Sequence, residues 1–177
     1  FTVREGKIAA VTFCTPGGTE EVSADALFLA TGHSARDVFR LLEHKGIPLT
    51  PRPFGIGVRI EHPRWAVNAW RYGIGASDDL PTASYHLVTH LPGGRSVYSF
   101  CMCPGGSVVA ATSAPGAVVT NGMSNYARDG ENSNAAFLVS VTPEDFPVPG
   151  ALGGLALQEQ IESAAYRAGG SSMRAPV

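Results

Sequence analysis

The sequence predicts a mixed α+β protein that is rich in β-structure, and three observations support this class. Short β-rich segments separated by Gly and Pro turns occupy residues 1–24 and recur between residues 85 and 141. One unbroken apolar run, Ala26–Ala30, is typical of a strand that is buried on both faces. Helical spacing of apolar residues begins near residues 35, 64 and 155. The 21 glycines and 13 prolines fit a chain with many turns.

The first segments predict a β-hairpin. Phe1–Glu5 and Lys7–Thr15 are rich in β-forming residues, and Gly6 between them suits a tight turn. The sequence Pro16-Gly17-Gly18 predicts a second turn, after which extended structure resumes. We therefore expect a meander of hairpins that leads into the buried strand Ala26–Ala30.

A helix is expected directly after the apolar run, from about Ala35 to Lys45. Ser34 is placed to cap its first turn, and Asp37 completes an S-x-x-D capping box. Apolar residues inside the stretch recur at helical spacing, and Gly46 is suited to a left-handed cap at the end. A buried strand, a Gly turn and a capped helix together form the usual setting of a ligand site in α/β proteins.

Three interpretations compete for this turn. The stretch Gly32-His33-Ser34-Ala35-Arg36 is similar to the G-x-S-x-G nucleophile elbow of α/β-hydrolases, but Arg36 stands where the second Gly belongs. Alternatively, the backbone of Ala30, Thr31 and Gly32 lines a cofactor, because Gly has no Cβ to keep a nucleotide away. The third interpretation is structural: Ser34 only caps the helix, and Gly32 only makes the turn.

The remaining sequence predicts further strands, two more helices and the loops that join them. Pro53–His62 alternates apolar residues with Gly, Arg and Glu, which is typical of a half-buried strand with a charged face. Pro63 favours a helix start, and we expect that helix over Arg64–Arg71. Asn121-Gly122 is a strong turn signal. Strands are also expected at residues 85–90, 95–102, 108–112 and 135–141, and a helix at residues 155–168.

Composition excludes several classes of protein. A net charge of −2, with no Lys/Arg cluster, does not favour a nucleic-acid partner. No apolar run approaches the 18 or so residues of a membrane span, and no signal peptide is recognisable. Because residue 1 is not Met and the sequence opens inside a strand-like stretch, we expect it to be a piece of a longer protein.

The three cysteines predict neither a disulfide framework nor a metal site. An odd, small number of cysteines is typical of a reducing compartment, so a cytoplasmic protein is expected. Cys101 and Cys103 are two residues apart, so within a regular strand they would point to opposite faces and not pair. The five histidines are scattered, and no second Cys pair is present to complete a zinc site.

Several motifs together resemble one family, the uncharacterised FAD-dependent dehydrogenases of bacteria, which are FAD/NAD(P)-binding oxidoreductases. The resemblance covers nearly the whole chain in the correct order, and its most distinctive motif is the Cys-Met-Cys-Pro-Gly-Gly stretch. The motifs are Ala-Thr-Gly-His-Ser-Ala-Arg-Asp (30–37), Pro-Phe-Gly-Ile-Gly-Val-Arg-Ile-Glu-His-Pro (53–63), Tyr-Ser-Phe-Cys-Met-Cys-Pro-Gly-Gly (98–106), Thr-Asn-Gly-Met-Ser (120–124) and Arg-Asp-Gly-Glu-Asn-Ser-Asn (128–134).

The resemblance implies a part of a larger flavoprotein. Residues 1–47 would be the C-terminal part of an α/β FAD-binding domain, and residues 48–177 most of an inserted antiparallel-β substrate domain with a few helices. The G-x-G-x-x-G turn that holds the FAD pyrophosphate in such proteins is absent, since Gly55-Ile-Gly57 is followed by Ile60 at the third position. We therefore expect this chain by itself to bind FAD weakly or not at all.

The resemblance also implies roles for individual residues in the full-length enzyme. Arg59 and His62 are candidates for binding an anionic substrate group and for donating a proton, and Cys101 and Cys103 are candidate catalytic thiols. The alternatives are a solvated strand face for Arg59, and one buried and one partly exposed structural thiol for the cysteines. A small-molecule substrate and NAD(P)H or another electron partner are expected. The residues expected to approach FAD are Ala30, Thr31, Gly32, Pro104, Gly105, Gly106, Asn121 and Gly122.

Two other classes of function remain open from the sequence. One is an α/β-hydrolase-like enzyme that uses Ser34 as its nucleophile together with a histidine. The other is a binding module without chemistry, in which the Gly-rich loops hold a peptide. A strand followed by a G-x-G-x-x-G turn in the sequence that precedes Phe1 would decide in favour of the flavoprotein.

Overall fold

The computed structural model describes residues 1–32, 34–75 and 79–177, and it confirms a β-rich α+β fold. The chain divides into two compact units, Phe1–Ala35 and Arg36–Val177. The expected boundary between residues 47 and 48 refers to the full-length protein and stays a prediction.

The first unit contains a three-stranded antiparallel sheet. Strands β1 (Thr2–Arg4), β2 (Lys7–Thr15) and β3 (Gly18–Ser23) pair in the order β1-β2-β3. Glu5 and Gly6 connect β1 to β2 with φ angles of 52° and 76°, the left-handed pair that a two-residue type I′ hairpin requires. The hairpin expected around Gly6 is therefore confirmed.

The strand expected at Ala26–Ala30 is wrong. These residues have no regular secondary structure, and Phe28 exposes 93% of its surface. A strand exists only through hydrogen bonds to a neighbouring strand, and β1, β2 and β3 pair with one another instead of with this segment. An apolar run indicates a preference for burial, but it does not supply the partner strand.

Three helices and one short 3-10 turn belong to the second unit. They are α1 (Arg36–His44), α2 (Arg64–Tyr72), α3 (Gly153–Ala168) and the 3-10 turn Pro143–Asp145. All three helices lie where the sequence predicts them, and Pro63 directly precedes α2. None of the helices in the described ranges has the length and apolar composition needed to cross a lipid bilayer.

Residues at both ends of α1 make specific interactions. Gly46 adopts φ 69°, and its N–H donates to the Glu43 carbonyl at 2.9 Å, while the Ile47 N–H donates to Leu42 at 3.0 Å. These two bonds form the Schellman motif expected for Gly46. At the other end, Arg36 donates to both carboxylate oxygens of Glu162 on α3 at 2.7 Å. An ion pair thus joins α1 to α3.

The main sheet of the second unit has four antiparallel strands in the order β4-β9-β6-β5. They are β4 (Phe54–Pro63), β5 (Val88–His90), β6 (Ser96–Cys103) and β9 (Asn132–Val141), and a separate hairpin pairs β7 (Gly106–Ala110) with β8 (Thr120–Ser124). Strand β9 lies inside the sheet and contributes much of the core. Its buried residues are Ser133, Asn134, Ala135, Ala136 and Val141.

Strand β4 is confirmed, but its burial does not alternate as predicted, and near its middle the buried side chain is that of Arg59. Val58 and Ile60 expose 71% and 41% of their surfaces, whereas Arg59 is half-buried. Gly55 shares the face of Arg59, and a Cβ there would overlap the hydroxyl of Tyr98 and approach Leu138. Because glycine leaves room for these neighbours, the Gly/Arg face packs against protein and the apolar residues remain exposed.

The turn expected at Asn121-Gly122 is also wrong, since both residues lie within β8. A Cβ on Gly122 would overlap Arg59 and Asn134 and would lie 2.7 Å from the Cys103 sulfur. Glycine is required here by close packing in a strand, and this requirement comes from residues far away in the sequence.

Candidate functional site

Arg59 forms the centre of a polar cluster on the buried face of β4. Its Nε donates to Asn134 Oδ1 at 3.0 Å, and its Nη1 donates to Asn121 Oδ1 at 3.3 Å. Its Nη2 donates to the Cys101 carbonyl at 2.7 Å and lies 3.7 Å from the Cys103 sulfur. One side chain therefore connects β4 with residues of β6, β8 and β9. We call these five residues, with Gly122, the Arg59 cluster.

A β-bulge in β6 aims two of these groups at Arg59. Phe100 pairs with Ala136 and Cys103 pairs with Asn134, so β6 carries one extra residue between these pairs. Cys101 adopts a φ of 48°, which is uncommon for a residue with a Cβ. Bulges of this kind redirect side chains and are frequent beside functional sites. The carbonyl of Cys101 and the thiol of Cys103 reach the same guanidinium as a result.

The two cysteines differ in accessibility, as the structural alternative for them expected. Cys103 is buried, and its thiol donates to the Cys101 carbonyl at 3.4 Å. Cys101 is exposed, although its carbonyl is engaged by Arg59. Both are free thiols. The role of either thiol in catalysis stays a prediction.

Asn134 is the member of the cluster that sequence reasoning missed. Its side chain is completely buried, and its Oδ1 accepts from Arg59. Its Nδ2 has no hydrogen-bond partner within the described part of the chain, which is unusual for a buried donor. The stretch Asn132-Ser133-Asn134 places polar residues at the start of a strand. This pattern is the sequence signal from which Asn134 could have been identified.

Among the described residues, the groups that accept hydrogen bonds from the Arg59 guanidinium are all neutral. Ion pairs among the described residues involve Arg36, Arg40 and Arg95 with acidic partners, and Arg59 takes part in none of them. A half-buried cation that meets only amide oxygens, a carbonyl and a thiol has no compensating negative charge. Such a cation is suited to an anionic or electron-rich ligand.

The Cys103–Gly106 turn packs tightly against the polypeptide. A Cβ on Gly105 would overlap the Arg128 carbonyl, and one on Gly106 would overlap the Met123 carbonyl. The Gly105 N–H donates to Ser133 at 3.0 Å, and the Ser124 hydroxyl donates to Pro104 at 2.7 Å. The neighbouring groove, of about 900 Å³, is lined by Cys103, Pro104, Gly122 and nine further residues that include Met102 and Tyr126.

His62 lies on the opposite face of β4 from Arg59. The two residues are three positions apart on a strand that pairs regularly with β9, so their side chains point in opposite directions. The His62 Nε2 and the Tyr85 hydroxyl are hydrogen-bonded at 2.9 Å. Trp70 of α2 and Tyr85 contact the His62 ring edge-on, with centroid distances of 5.3 and 5.7 Å.

A pocket of about 630 Å³ surrounds the His62–Tyr85 pair, and we call it the His62 pocket. Burial raises the pKa of the Tyr85 hydroxyl above its usual value, and the positive charge of Arg59 opposes part of that rise. Tyr85 was not singled out from the sequence, where nothing distinguishes it from other tyrosines. The lining residues are His62, Val67, Trp70, Arg71, Ser84, Tyr85, His86, Leu87 and Phe137.

The structure thus brings together five of the predicted site residues and separates a sixth from them. Arg59, Cys101, Cys103, Asn121 and Gly122 form one cluster, whereas His62 belongs to a different pocket. Ala30, Thr31 and Gly32 are exposed residues of the first unit, and Gly32 has a left-handed φ of 79°. His33, the second residue of the proposed elbow, lies outside the described residues.

Neither a metal centre nor a serine nucleophile receives support. Within the described ranges, no three His, Cys, Asp or Glu side chains are grouped as metal ligands. Arg36, which occupies the place of the second elbow glycine, begins α1 and is engaged with Glu162 on α3. The hydrolase alternative therefore rests on Ser34 and Gly32 alone.

Two comparisons relate the chain to known proteins. A family model described as "FAD-dependent protein, C-terminal domain-like" matches residues 53–177. The chain is also 42% identical over 179 residues to an "Uncharacterized protein" of Clostridium beijerinckii (strain ATCC 51743 / NCIMB 8052). That match covers all of this chain and 33% of the relative, so the chain spans about a third of the length of the relative it matches.

Proposed function

The chain belongs to the FAD-dependent protein C-terminal domain-like family, and from this premise we propose that it is part of a flavin-dependent oxidoreductase in which the Arg59 cluster faces the flavin ring. The observation that carries this proposal is the half-buried guanidinium of Arg59, which is surrounded by neutral acceptors alone.

The residues of the Arg59 cluster fit the ring end of a flavin. The ring of a reduced flavin carries negative charge along its N1–C2 carbonyl edge, and proteins tune flavins by placing positive charge or N–H donors near that edge. Arg59 supplies such a charge, and the buried Asn134 Nδ2 is a donor that still lacks an acceptor. The unbalanced cation and the unused donor are the features that support this fit.

The N-termini of α2 and α3 do not fit the pyrophosphate end of FAD. Helix α3 begins with Gly153 and Gly154, but a Cβ on either would meet Phe146, so these glycines serve internal packing. Helix α2 follows Pro63, without a glycine turn. We therefore assign the pyrophosphate site to another part of the full-length protein, which agrees with the missing G-x-G-x-x-G turn.

When bound, a flavin supplies the acceptor for two electrons taken from a substrate. The part of this chain would be to hold a fixed positive charge beside the ring and to keep that charge oriented. The hydrogen bonds of Arg59 to three other strands restrict its position. The exposed thiol of Cys101 would lie next to the same edge.

The substrate and the electron partner belong to the same proposal. We infer a small-molecule dehydrogenase of the cytoplasm that exchanges electrons with NAD(P)H or another carrier, without a nucleic-acid or membrane partner. The acidic net charge and the small number of cysteines support this assignment.

The first experiment is a comparison of flavin content. We expect the purified full-length protein to show flavin absorbance near stoichiometric amounts and the 177-residue chain to be colourless. Added FAD should bind to the chain weakly, because the pyrophosphate site is missing. Stoichiometric flavin in the purified chain would contradict the division of the site, and a colourless full-length protein that does not take up FAD would contradict the function.

The second experiment tests Arg59 itself in the full-length protein. Arg59→Gln should lower the flavin reduction potential by about 30 mV, the equivalent of about 1.4 kcal/mol for a two-electron couple, because a stabilising charge is lost. Arg59→Lys should retain most of the potential. Arg52→Gln, at an exposed arginine of the connector before β4, is the control. An unchanged potential in Arg59→Gln would remove Arg59 from the flavin site.

A further inference from the structure

We propose that the His62 pocket binds a small aromatic carboxylate. The pocket lies in the second unit, on the face of the sheet opposite the Arg59 cluster, and its residues come from α2, β4, β9 and the segment before β5. This inference does not depend on the flavin assignment, because none of the residues that line the pocket belongs to the Arg59 cluster.

The walls of the pocket are suited to a flat apolar molecule. Trp70, Tyr85 and Phe137 supply aromatic surface, and Val67 and Leu87 supply aliphatic surface. The rings of Tyr85 and Phe137 are 6.3 Å apart and tilted by 41°, so they present neighbouring faces. A volume of about 630 Å³ lies within the range that is usual for small-molecule sites.

The charged and polar groups in the pocket favour an anion. Arg71 lies in the last turn of α2, and His62 and His86 also line the pocket, whereas no Asp or Glu is among the described residues that line it. The ion pairs found within the described ranges involve Arg36, Arg40 and Arg95, so Arg71 is not paired with a carboxylate there. An arginine with no acidic partner is suited to bind a carboxylate through two parallel hydrogen bonds.

The His62–Tyr85 pair supplies a second, fixed polar anchor. The hydrogen bond between the Tyr85 hydroxyl and His62, at 2.9 Å, orients both groups, and burial raises the pKa of that hydroxyl. Trp70 packs edge-on against the same imidazole and limits its movement. A ligand that carries a hydrogen-bonding group at one end and an aromatic ring at the other matches this arrangement.

Two other ligand classes fit less well. A cation would find the aromatic surface but would also meet Arg71, and like charges repel. An aliphatic carboxylate would use Arg71 but would not gain the contacts between aromatic rings, which stabilise a complex beyond the burial of apolar area. The combination of aromatic walls and a guanidinium that has no acidic partner among the described residues therefore favours an aromatic anion.

The test is a titration of the 177-residue chain monitored by the Trp70 indole N–H signal. The chain has two tryptophans, and W65F leaves Trp70 as the reporter inside the pocket. Three probes of similar size distinguish the need for a negative charge from the need for an aromatic ring. They are phenylacetate, the uncharged phenylacetamide and the non-aromatic cyclohexylacetate. We expect phenylacetate to shift the signal in a saturable way and to bind about tenfold more tightly than either of the other two.

Variants decide which groups select the anion. Arg71→Gln should weaken phenylacetate binding about tenfold while leaving phenylacetamide unchanged, and Tyr85→Phe should weaken both probes severalfold. Arg52→Gln, at an exposed arginine outside the pocket, is the matched control and should bind as the parent chain does. Thermal unfolding of each variant verifies that it is folded.

Several results would overturn the proposal. Equal affinity for phenylacetate and phenylacetamide, or no loss in Arg71→Gln, would show that the pocket does not select an anion. Equal affinity for cyclohexylacetate would remove the aromatic requirement. No saturable shift up to about 10 mM phenylacetate, well above the millimolar Kd of a weak small-molecule complex, would show that the pocket is not a ligand site for this class. Each result leaves the flavin content of the full-length protein unaffected, so the two proposals fail separately.

Discussion

The two faces of β4 differ in almost every physical respect. On one face, Arg59 is fixed by hydrogen bonds to three other strands, and Gly122 is needed to leave room for its guanidinium. On the other face, His62 has one hydrogen-bond partner, Tyr85, and lies in a pocket with mostly apolar walls. The first face is closely packed and polar, and the second is open.

The contrast between the two faces shows that residues close in sequence need not belong to one site. Arg59 and His62 lie in the same motif, and the resemblance led us to pair them as a substrate anchor and a proton donor. A strand directs residues three positions apart to opposite faces, so the motif serves two sites at once. The cysteines and Asn121, which are distant in sequence, are the actual neighbours of Arg59.

The largest expected effect follows from removing the centre of the packed face. Arg59→Leu leaves the buried oxygen of Asn134 without its donor, and the Cys101 carbonyl keeps only the Cys103 thiol as a donor. We expect a loss of about 3 kcal/mol in the free energy of unfolding. His62→Phe removes one hydrogen bond from the open face and should cost about 1 kcal/mol. Urea unfolding followed by tryptophan fluorescence measures both, because both tryptophans lie on α2 of the second unit. Equal costs would contradict the contrast between the faces.

A second, smaller effect concerns the space around Arg59. Gly122→Ala introduces a Cβ that overlaps Arg59 and Asn134, so these hydrogen-bonded groups must move. We expect a cost of about 2 kcal/mol, the typical result of overpacking. Thr120→Ala, on the same strand, adds no atoms and should change stability by less than about 1 kcal/mol. If Gly122→Ala is as stable as the parent, the cluster is looser than its packing indicates.

On the open face, the burial of Tyr85 should affect how the stability of the protein depends on alkaline pH. Burial raises the pKa of Tyr85, so its contribution to stability is complete below the unfolded value near 10 and is lost as the pH rises through the folded value. Stability should therefore fall with pH above 10, and Tyr85→Phe should reduce that slope. Tyr126→Phe, at a fully exposed tyrosine, is the control. An unchanged slope in Tyr85→Phe would show that the hydroxyl is not shielded from water.

Local features of the fold could be predicted from the sequence. The type I′ hairpin at Gly6, the Schellman end of α1 at Gly46 and the helix start after Pro63 each depend on one or two residues whose backbone preferences decide the outcome. These elements require no knowledge of distant parts of the chain. The α+β class followed from them.

Features that depend on distant partners could not be predicted in this way. Ala26–Ala30 has the composition of a strand, but no strand of its unit pairs with it. Asn121-Gly122 has the composition of a turn, but Gly122 is required by its contacts with Arg59, Asn134 and Cys103. The separation of Arg59 from His62, by contrast, was available from the two-residue period of a strand.

A double-mutant cycle that combines substitutions on the two faces of β4 tests most directly whether Arg59 and His62 belong to separate sites. If they do, their contributions to the free energy of unfolding should be independent. We expect the free energies of unfolding of Arg59→Leu, His62→Phe and the double variant to be additive within about 0.5 kcal/mol. A coupling energy above about 1 kcal/mol would mean that the two residues act together, and it would contradict the assignment of β4 to two sites.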